Sequence, residues 1–530
     1  MTKEKALTLA AVLTALFLGA LDQTIVATAL PSIARDLQGL SRYSLVATAY
    51  LTASTVFVPI YGKLADMLSK KSIEFGAITI FLTGSVLCGL AGSWGDLPII
   101  GDGMNQLILF RAIQGLGGAG LFSMAFIVIA DLFPPAERGK YQGYIGAAFG
   151  IASLLGPFFG GLLTDYAGGI IPGVEGWRWV FYVNIPFGAI AVYFIVRYMP
   201  KLFPEKDSSK YFDFRGAFYL TIGTGGLLLA LETDKQKSGL TSPEFLIFVS
   251  LAIAGSLLFY FRSKKSPNPI INLQLFQNSV FKVSVIAVIF LGMSFFSLTL
   301  FIPLYLTNVL GVSATKAGIS LIPLSMGLVT GSTLAGRLSN KFRRVKIIIL
   351  FGIGILMLAF GLLTTLNTDT EYYKVVILMV VAGLGMGPTL PMFPLAVQNS
   401  VKRNVLGQAT GSTQFFRQIG GVTGAAIMGM ILALTVSGII QKPEIKKLKD
   451  SPIEIKVDSE TNIQELREKL DEEVVNTSNN STYKSALDTI ITAFSDAVSR
   501  IFLFALIVSL LAAIATFFLP DHELRQTNDH

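Results

Sequence analysis

Fourteen runs of about twenty apolar residues leave this chain few folds to choose from. They cover approximately 8–30, 43–62, 72–92, 106–130, 141–163, 179–199, 215–233, 244–261, 279–308, 314–336, 345–366, 373–397, 404–436 and 497–519. A run of that length crosses the hydrocarbon core of a bilayer as one helix. Lipid offers a backbone no hydrogen-bond partner, so each run must satisfy its own amides and carbonyls. The expectation is an all-α polytopic membrane protein. Of its 530 residues 52% are hydrophobic and 14% charged, too apolar a balance for a soluble chain of this length. The first run exceeds a signal peptide's apolar core and lacks a small-x-small cleavage site, so it reads as a span.

The polar residues between the runs set the orientation. Linkers on the side of both termini hold about 20 Lys and Arg, and the alternate linkers hold 7. Both termini are therefore expected in the cytoplasm, with the chain in the cell membrane. The net charge of +8 is scattered over short turns, which is a topology signal and not a nucleic-acid surface. Cys88 is the single cysteine, so no intrachain disulfide forms, and both histidines fall in the last nine residues. A histidine metal site or proton relay inside the membrane is excluded. No Walker loop suggests an ATP-driven pump, and no nucleophile–base pair suggests an enzyme.

A repeat divides the chain. GKLADMLSKK at 62–71 closes the second run, and GRLSNKFRR at 336–344 closes the tenth. Glycine, an acid or amide, and basic residues recur in one order: Gly62, Asp66, Lys70 and Lys71, then Gly336, Asn340, Arg343 and Arg344. This gives two six-helix bundles, 8–199 and 279–519, with two additional helices at 215–261 between them. Parallel halves of this kind support alternating access. Asp66 can dock on a helix N-terminus or on basic residues of the other half, as a latch on the cytoplasmic side. A turn cap is its plainer role. Asn340 lacks the charge for an equal latch. The stretch 437–484 reads as an outward insertion before the last helix. It is either a small subdomain, with alternating Ile453, Ile455 and Val457 and helical spacing after Asn462, or a charged flexible loop. Asn476, Asn479 and Asn480 have glycosylation spacing.

Asp22 stands alone inside the first run, and a carboxylate there requires a partner, a proton or water. At 1.5 Å rise per residue, Asp22 and Arg417 lie roughly 20 Å from the cytoplasmic boundary. Arg111 lies roughly 7 Å from the outer one, at comparable height. The economical arrangement is one polar cavity between the halves, in which Arg111 or Arg417 stabilises Asp22. The alternative is that each arginine serves only nearby helix carbonyls. No other acid lies deep in a span, since Asp131, Asp165 and Glu232 fall near run ends. Asp22 is thus the proton-carrier candidate, and the driving ion would be the proton, with no cofactor. Glycines at 115, 117, 118 and 120, and at 146, 150, 156, 160 and 161 with Pro157, mark tight helix contacts or a hinge. Phe296 and Met293, with Met386 and Phe393, are candidates for a loose apolar pocket, although most such residues face lipid or neighbouring helices.

Together these motifs resemble the 14-helix drug:proton antiporter branch of the major facilitator superfamily, the EmrB/QacA-like exporters, over 8–520. LDQTIVATALP at 21–31 is similar to the branch's first-helix motif, whose acid is implicated in proton coupling. Residues 62–71 resemble the cytoplasmic gate signature, with Ser69 where a glycine is usual. Arg111, Gln114, Gly115 and Gly118 match the fourth-helix motif, and its arginine is linked to proton transfer. Gly150 to Gly161, with Gly156-Pro157, match the fifth-helix antiporter signature, and WRWVFYVNIPFG at 177–188 matches the approach to helix six. The resemblance implies a major facilitator fold and proton-coupled export of amphipathic drugs, functional as a monomer among membrane lipids. Some relatives carry further acids in the second half where this chain has Arg417, which leaves room for anionic, neutral or lipid-like substrates. Export of lipids or their precursors, aided by the 437–484 insertion, is the alternative. A sensor or scaffold without transport is disfavoured by the paired halves.

Overall fold

The structure is a computed structural model that describes residues 2–39, 42–171, 173–203, 211–233, 242–437 and 480–526. Residues 438–479, with the expected strand and helix of the 437–484 insertion and with Asn476 and Asn479, lie outside the described residues, and Asn480 opens the last helix. Fourteen helices among the described residues are long and apolar enough to cross a membrane. The chain is a multi-pass membrane protein.

Helix ends follow local chemistry. In α1 (Lys3–Asp36) the Thr2 hydroxyl accepts from the Lys5 amide, satisfying one of the free donors of the first turn. α2 spans Tyr43–Ala65 and α3 spans Lys70–Gly89. Asp102 caps α4 (Gly103–Leu132) through the Asn105 amide at 2.9 Å. Pro135 opens α5 (Pro135–Tyr166), where its missing amide costs nothing. A short helix, Trp179–Tyr182, leads into α6 (Asn184–Tyr198). Then come α7 (Phe214–Glu232), α8 (Pro243–Lys265), α9 (Ser279–Asn308), α10 (Leu321–Phe342) and α11 (Val345–Leu363). The twelfth run forms two helices, α12 (Tyr372–Met386) and α13 (Thr389–Ser400), divided at Gly387-Pro388. α14 (Leu406–Ser437) and α15 (Asn480–Phe517) complete the chain.

The two largest apolar cores divide between the halves. One draws its buried residues from Val280 to Leu524, and the other largely from Leu9 to Ile271. α7 and α8 pack on each other and touch the remainder mainly along α2. Only 6% of the apolar window of α8 is buried, so it lies at the periphery, facing lipid.

The halves meet along two helix pairs, α5 with α10 and α2 with α14. Both seams are built on glycine. A Cβ on Gly62 would lie 2.6 Å from the Gly407 carbonyl oxygen, and one on Gly143 would lie 3.0 Å from that of Ser332. Farther along α5 the partner changes: a Cβ on Gly160 would meet the Ile25 carbonyl oxygen of α1, within the same half, at 2.6 Å. The seams therefore close one end of the bundle. Both chain ends sit there. Lys5 donates to the Leu132 carbonyl at 2.8 Å, and the Ala136 amide donates to the Arg525 carbonyl at 2.9 Å. This end is the terminal face.

A side chain on Gly62 must force the seam apart, at a cost of about 1–3 kcal/mol. In Gly62→Val, a cysteine placed at the buried Thr410 should react with a small maleimide about tenfold faster than in the parent. The buried Cys88 keeps the background low. An unchanged rate would show that the glycine does not set the close approach.

Candidate functional site

Asp22 is fully buried, and four helices supply its surroundings. Its Oδ2 accepts from Arg111 Nη1 at 2.6 Å. Its Oδ1 accepts from Gln114 Nε2 at 2.8 Å and from Asn184 Nδ2 at 2.9 Å. Asn184 also donates to Ser85 Oγ, which donates to the Phe181 carbonyl. Arg111 donates to Gln114 Oε1 at 2.7 Å and lies over the Tyr50 ring, 4.4 Å from its centre. A buried ion pair is tolerated only when its remaining hydrogen-bonding capacity is met. Gln114 and Asn184 meet it here.

The expected single cavity holding Asp22, Arg111 and Arg417 does not form. Asp22 and Arg111 pair inside the first half. Arg417 lies on the far side of Tyr50, on the wall of a cavity between the halves. The error came from height alone, because equal depth does not fix which way a side chain faces around its helix. The cavity encloses about 1060 Å³ of empty space, solvent at its mouth included. Its wall includes Gln23, Tyr50, Phe122, Phe149, Phe295 and Phe296. Phe296 thus lines it, but Met293 does not: its backbone packs where a Cβ on Gly424 would fall. Met386 and Phe393 are buried in the apolar core of the second half, so they are corrected to packing residues.

A second correction concerns acids. Glu74 of α3 is fully buried, and neither carboxylate oxygen has a hydrogen-bond partner. The expectation that no acid besides Asp22 lies deep in a span passed over it. Burial by the neighbouring helices decides instead, so Asp22 is not the sole inward acid.

At the terminal face Asp66 crosses to the other half. Its oxygens accept from the Gly407 and Gln408 amides, both at 2.8 Å, at the first turn of α14. The positive end of that helix favours the charge. Lys70 pairs with Asp131 at 3.3 Å, and Arg403 of the other half reaches Asp131 at 3.8 Å. Lys71 donates to the Val196 carbonyl. The second repeat is built differently. Gly336 packs on Gly139, but Asn340 Oδ1 is buried without a partner and docks on nothing. Arg343 takes a left-handed conformation, φ 54°, that ends α10. Its carbonyl accepts from the Leu524 amide, and Arg344 pairs with Asp521 at 3.4 Å. Gln142 donating to Gln398 at 2.8 Å and Ser332 donating to the Gly143 carbonyl at 3.1 Å tie the halves further. Sequence reasoning missed Gln142, Gln398 and the tail, because a lone amide in a span carries no distinctive pattern, and it placed Asn184 in the helix-six motif without seeing its bond to Asp22.

The glycine motifs pack against specific neighbours. Gly115 and Gly118 lie against Tyr50, and Gly117 lies against α3. Gly150 faces Ser325 of α10, whereas Gly156 and Gly160 face Thr24, Thr28 and Ile25 of α1. Pro157 lies inside α5, and the Thr24 hydroxyl donates to the nearby Ala152 carbonyl at 3.1 Å. Gly161 faces open space.

Residues 12–425 match the model of the Major Facilitator Superfamily. The chain belongs to the Major Facilitator Superfamily. It is 34% identical over 523 residues to Multidrug resistance protein 3 of Bacillus subtilis strain 168, covering 97% of this chain and 94% of that one. Multidrug transporter protein MdtP of the same strain is 37% identical over 429 residues, 81% of this chain and 75% of its own. Among solved structures, the human organic anion transporter MFSD10 aligns with a TM-score of 0.60 at 14% identity, over 96% of this chain and 100% of that one. A double-tryptophan mutant of XylE aligns with a TM-score of 0.60 at 16% identity, over 98% and 97%. At that identity the likeness is one of fold. This facilitator is a transporter and not an enzyme.

Two outcomes follow from the site. Arg111→Gln leaves a buried carboxylate unpaired and should cost about 3–5 kcal/mol in detergent unfolding. The double variant Asp22→Asn/Arg111→Gln should recover most of that loss. A double variant as unstable as the sum of its parts would remove the pairing argument. The other outcome concerns pH. Burial pushes Asp66 up to about 7 against the hydrogen bonds and lysines that lower it. With Asp66 exposed in the opened face and near its ordinary 3.8, the closed face binds the proton more tightly. Closure is then strongest below pH 4 and weakens as pH rises toward 7, by up to about tenfold per unit. Spin-label distances across the terminal face should lengthen from pH 5 to 8 in the parent, and stay constant in Asp66→Asn.

Proposed function

We propose that this facilitator is a proton-coupled antiporter that exports small amphipathic compounds across the cell membrane by alternating access. The observation that carries the reading is the position of Asp22. A fully buried carboxyl, paired to Arg111, stands one residue from Gln23 on the cavity wall. Tyr50 separates the pair from the cavity and touches both. In this conformation the terminal face is shut, and the ion pair is sealed from solvent. Both termini lie in the cytoplasm, so the cavity belongs to the outward-directed phase of the cycle. A shift of α4 against α2 at Gly115 and Gly118 moves Tyr50 and lets water reach Asp22. Protonation cancels the attraction that holds Arg111, and the freed guanidinium turns to its remaining acceptors, Gln114 and the Val46 carbonyl. Proton loss toward the cytoplasm restores the pair. One charge moving down a 100 mV potential supplies about 2.3 kcal/mol per cycle. The driving ion is the proton alone, and one chain contains the whole cavity. The multidrug names of relatives 34% and 37% identical support a small-molecule substrate.

The test is flux in proteoliposomes. With a pH gradient imposed, wild-type protein should move a fluorescent amphipath uphill and dissipate the gradient as it does so. Asp22→Asn should lose gradient-driven accumulation by at least about tenfold while still exchanging substrate downhill. Full coupling retained in Asp22→Asn would remove Asp22 from the proton path.

A further inference from the structure

The cavity has an uneven charge inventory. Arg417 is the only charged residue on its described wall, and no acid lines it. Two buried arginines of the first half are compensated. Arg111 has Asp22, and Arg178 has Glu175 together with the Gly89 and Ala91 carbonyls. Arg417 has no carboxylate partner among the described residues. Its Nε donates to Gln414 Oε1 at 2.9 Å, and its guanidinium lies 5.4 Å from the centre of the Phe122 ring. Neither contact uses its terminal nitrogens, and the side chain is partly exposed. Gln414 and Arg417 belong to α14 of one half and Phe122 to α4 of the other, so the cation sits at the seam.

A guanidinium fixed at one edge, with its fork directed at an apolar cavity, matches an oxyanion headgroup. The phenylalanine wall at Phe149, Phe295 and Phe296 suits a hydrocarbon tail. A cation in the same cavity meets an uncompensated like charge in a poorly screened space. We propose that the cavity selects amphipathic anions, with Arg417 holding the anionic headgroup and the phenylalanines holding the tail. This rests on the transport reading, and it narrows the substrate from amphipaths in general to those bearing a phosphate or carboxylate.

Equilibrium binding separates this claim from proton coupling. Purified full-length protein in phosphatidylcholine nanodiscs is titrated with three dansyl-labelled decyl probes, ending in a phosphate, an alcohol or a trimethylammonium group. Wild-type protein should bind the phosphate about tenfold more tightly than the alcohol, with the ammonium weakest. Arg417→Gln should weaken the phosphate about tenfold and change the alcohol by less than about twofold. Arg417→Lys, which keeps the charge and loses the fork, should fall between. Inorganic phosphate alone should not compete, and effective competition would overturn the requirement for a tail. Ammonium binding as tight as phosphate in the wild type, or equal loss of all three probes in Arg417→Gln, overturns the proposal. Should Arg417→Gln not fold, the wild-type ranking and the lysine variant decide. Preserved phosphate preference without pH-driven flux would sink the coupling reading and leave this one standing.

Discussion

A charge inside a membrane bundle must be neutralised where it sits, and the first half is organised around that requirement. The Asp22 carboxyl on α1 is met by Arg111 and Gln114 from α4 and by Asn184 from α6. Three helices are thereby fixed in rotation as well as in contact. Ser85 links α3 to the same node through Asn184. Apolar packing alone tolerates sliding, since lipid competes well with one hydrocarbon surface for another. The hydrogen bonds do not tolerate it, because each broken one strands a polar group in a low-dielectric site. The node therefore makes the first half rigid around the Asp22 carboxyl, with Glu74 a second buried acid outside it. That rigidity is what allows a change at one carboxyl to be felt along whole helices.

Between the halves the chemistry is of the opposite kind. The seams rest on glycine, backbone contact and a few hydrogen bonds, all of which can part without leaving a buried ion. Asp66 is the exception, and it is placed where water can replace its partners once the face opens. The repeat has diverged in a telling way. The first copy uses a carboxylate against a helix N-terminus. The second has Asn340 at the equivalent place, and closure there passes to the tail, through Asp521, Leu524 and Arg525. Symmetric ancestry in the sequence has become an asymmetric lock, with one side-chain latch and one strap of backbone.

The fold was legible because its determinants are local. Apolar length gives each helix, and two similar turn sequences mark the two halves. The Asp22–Arg111 pair was half legible. Each residue announces itself as a charge in an apolar run, and depth arithmetic brings them level. Rotation about the helix axis is not encoded locally, so Arg417 was grouped with them although it faces another space. Glu74 was missed for the complementary reason: as the fifth residue of α3 it looks terminal, and only tertiary cover makes it buried. Met386 and Phe393 show the limit for substrate contacts. An apolar side chain toward a cavity and one toward a core are the same letter.

What separates the two arginines is the company their neighbours keep. Both stand in glycine-rich helices, and both contact an aromatic ring of the first half. Arg111 closes on an acid, and its charge is spent inside one rigid body. Arg417 has no such acid, and its guanidinium borders the space that opens and closes. A compensated charge can report protonation without attracting ligands. An uncompensated one lowers the energy of any anion that enters and raises that of any cation. Placing the first behind Tyr50 and the second in front of it keeps the two tasks apart. In the proposed cycle, a substrate headgroup would meet Arg417 without competing for the Asp22–Arg111 pair.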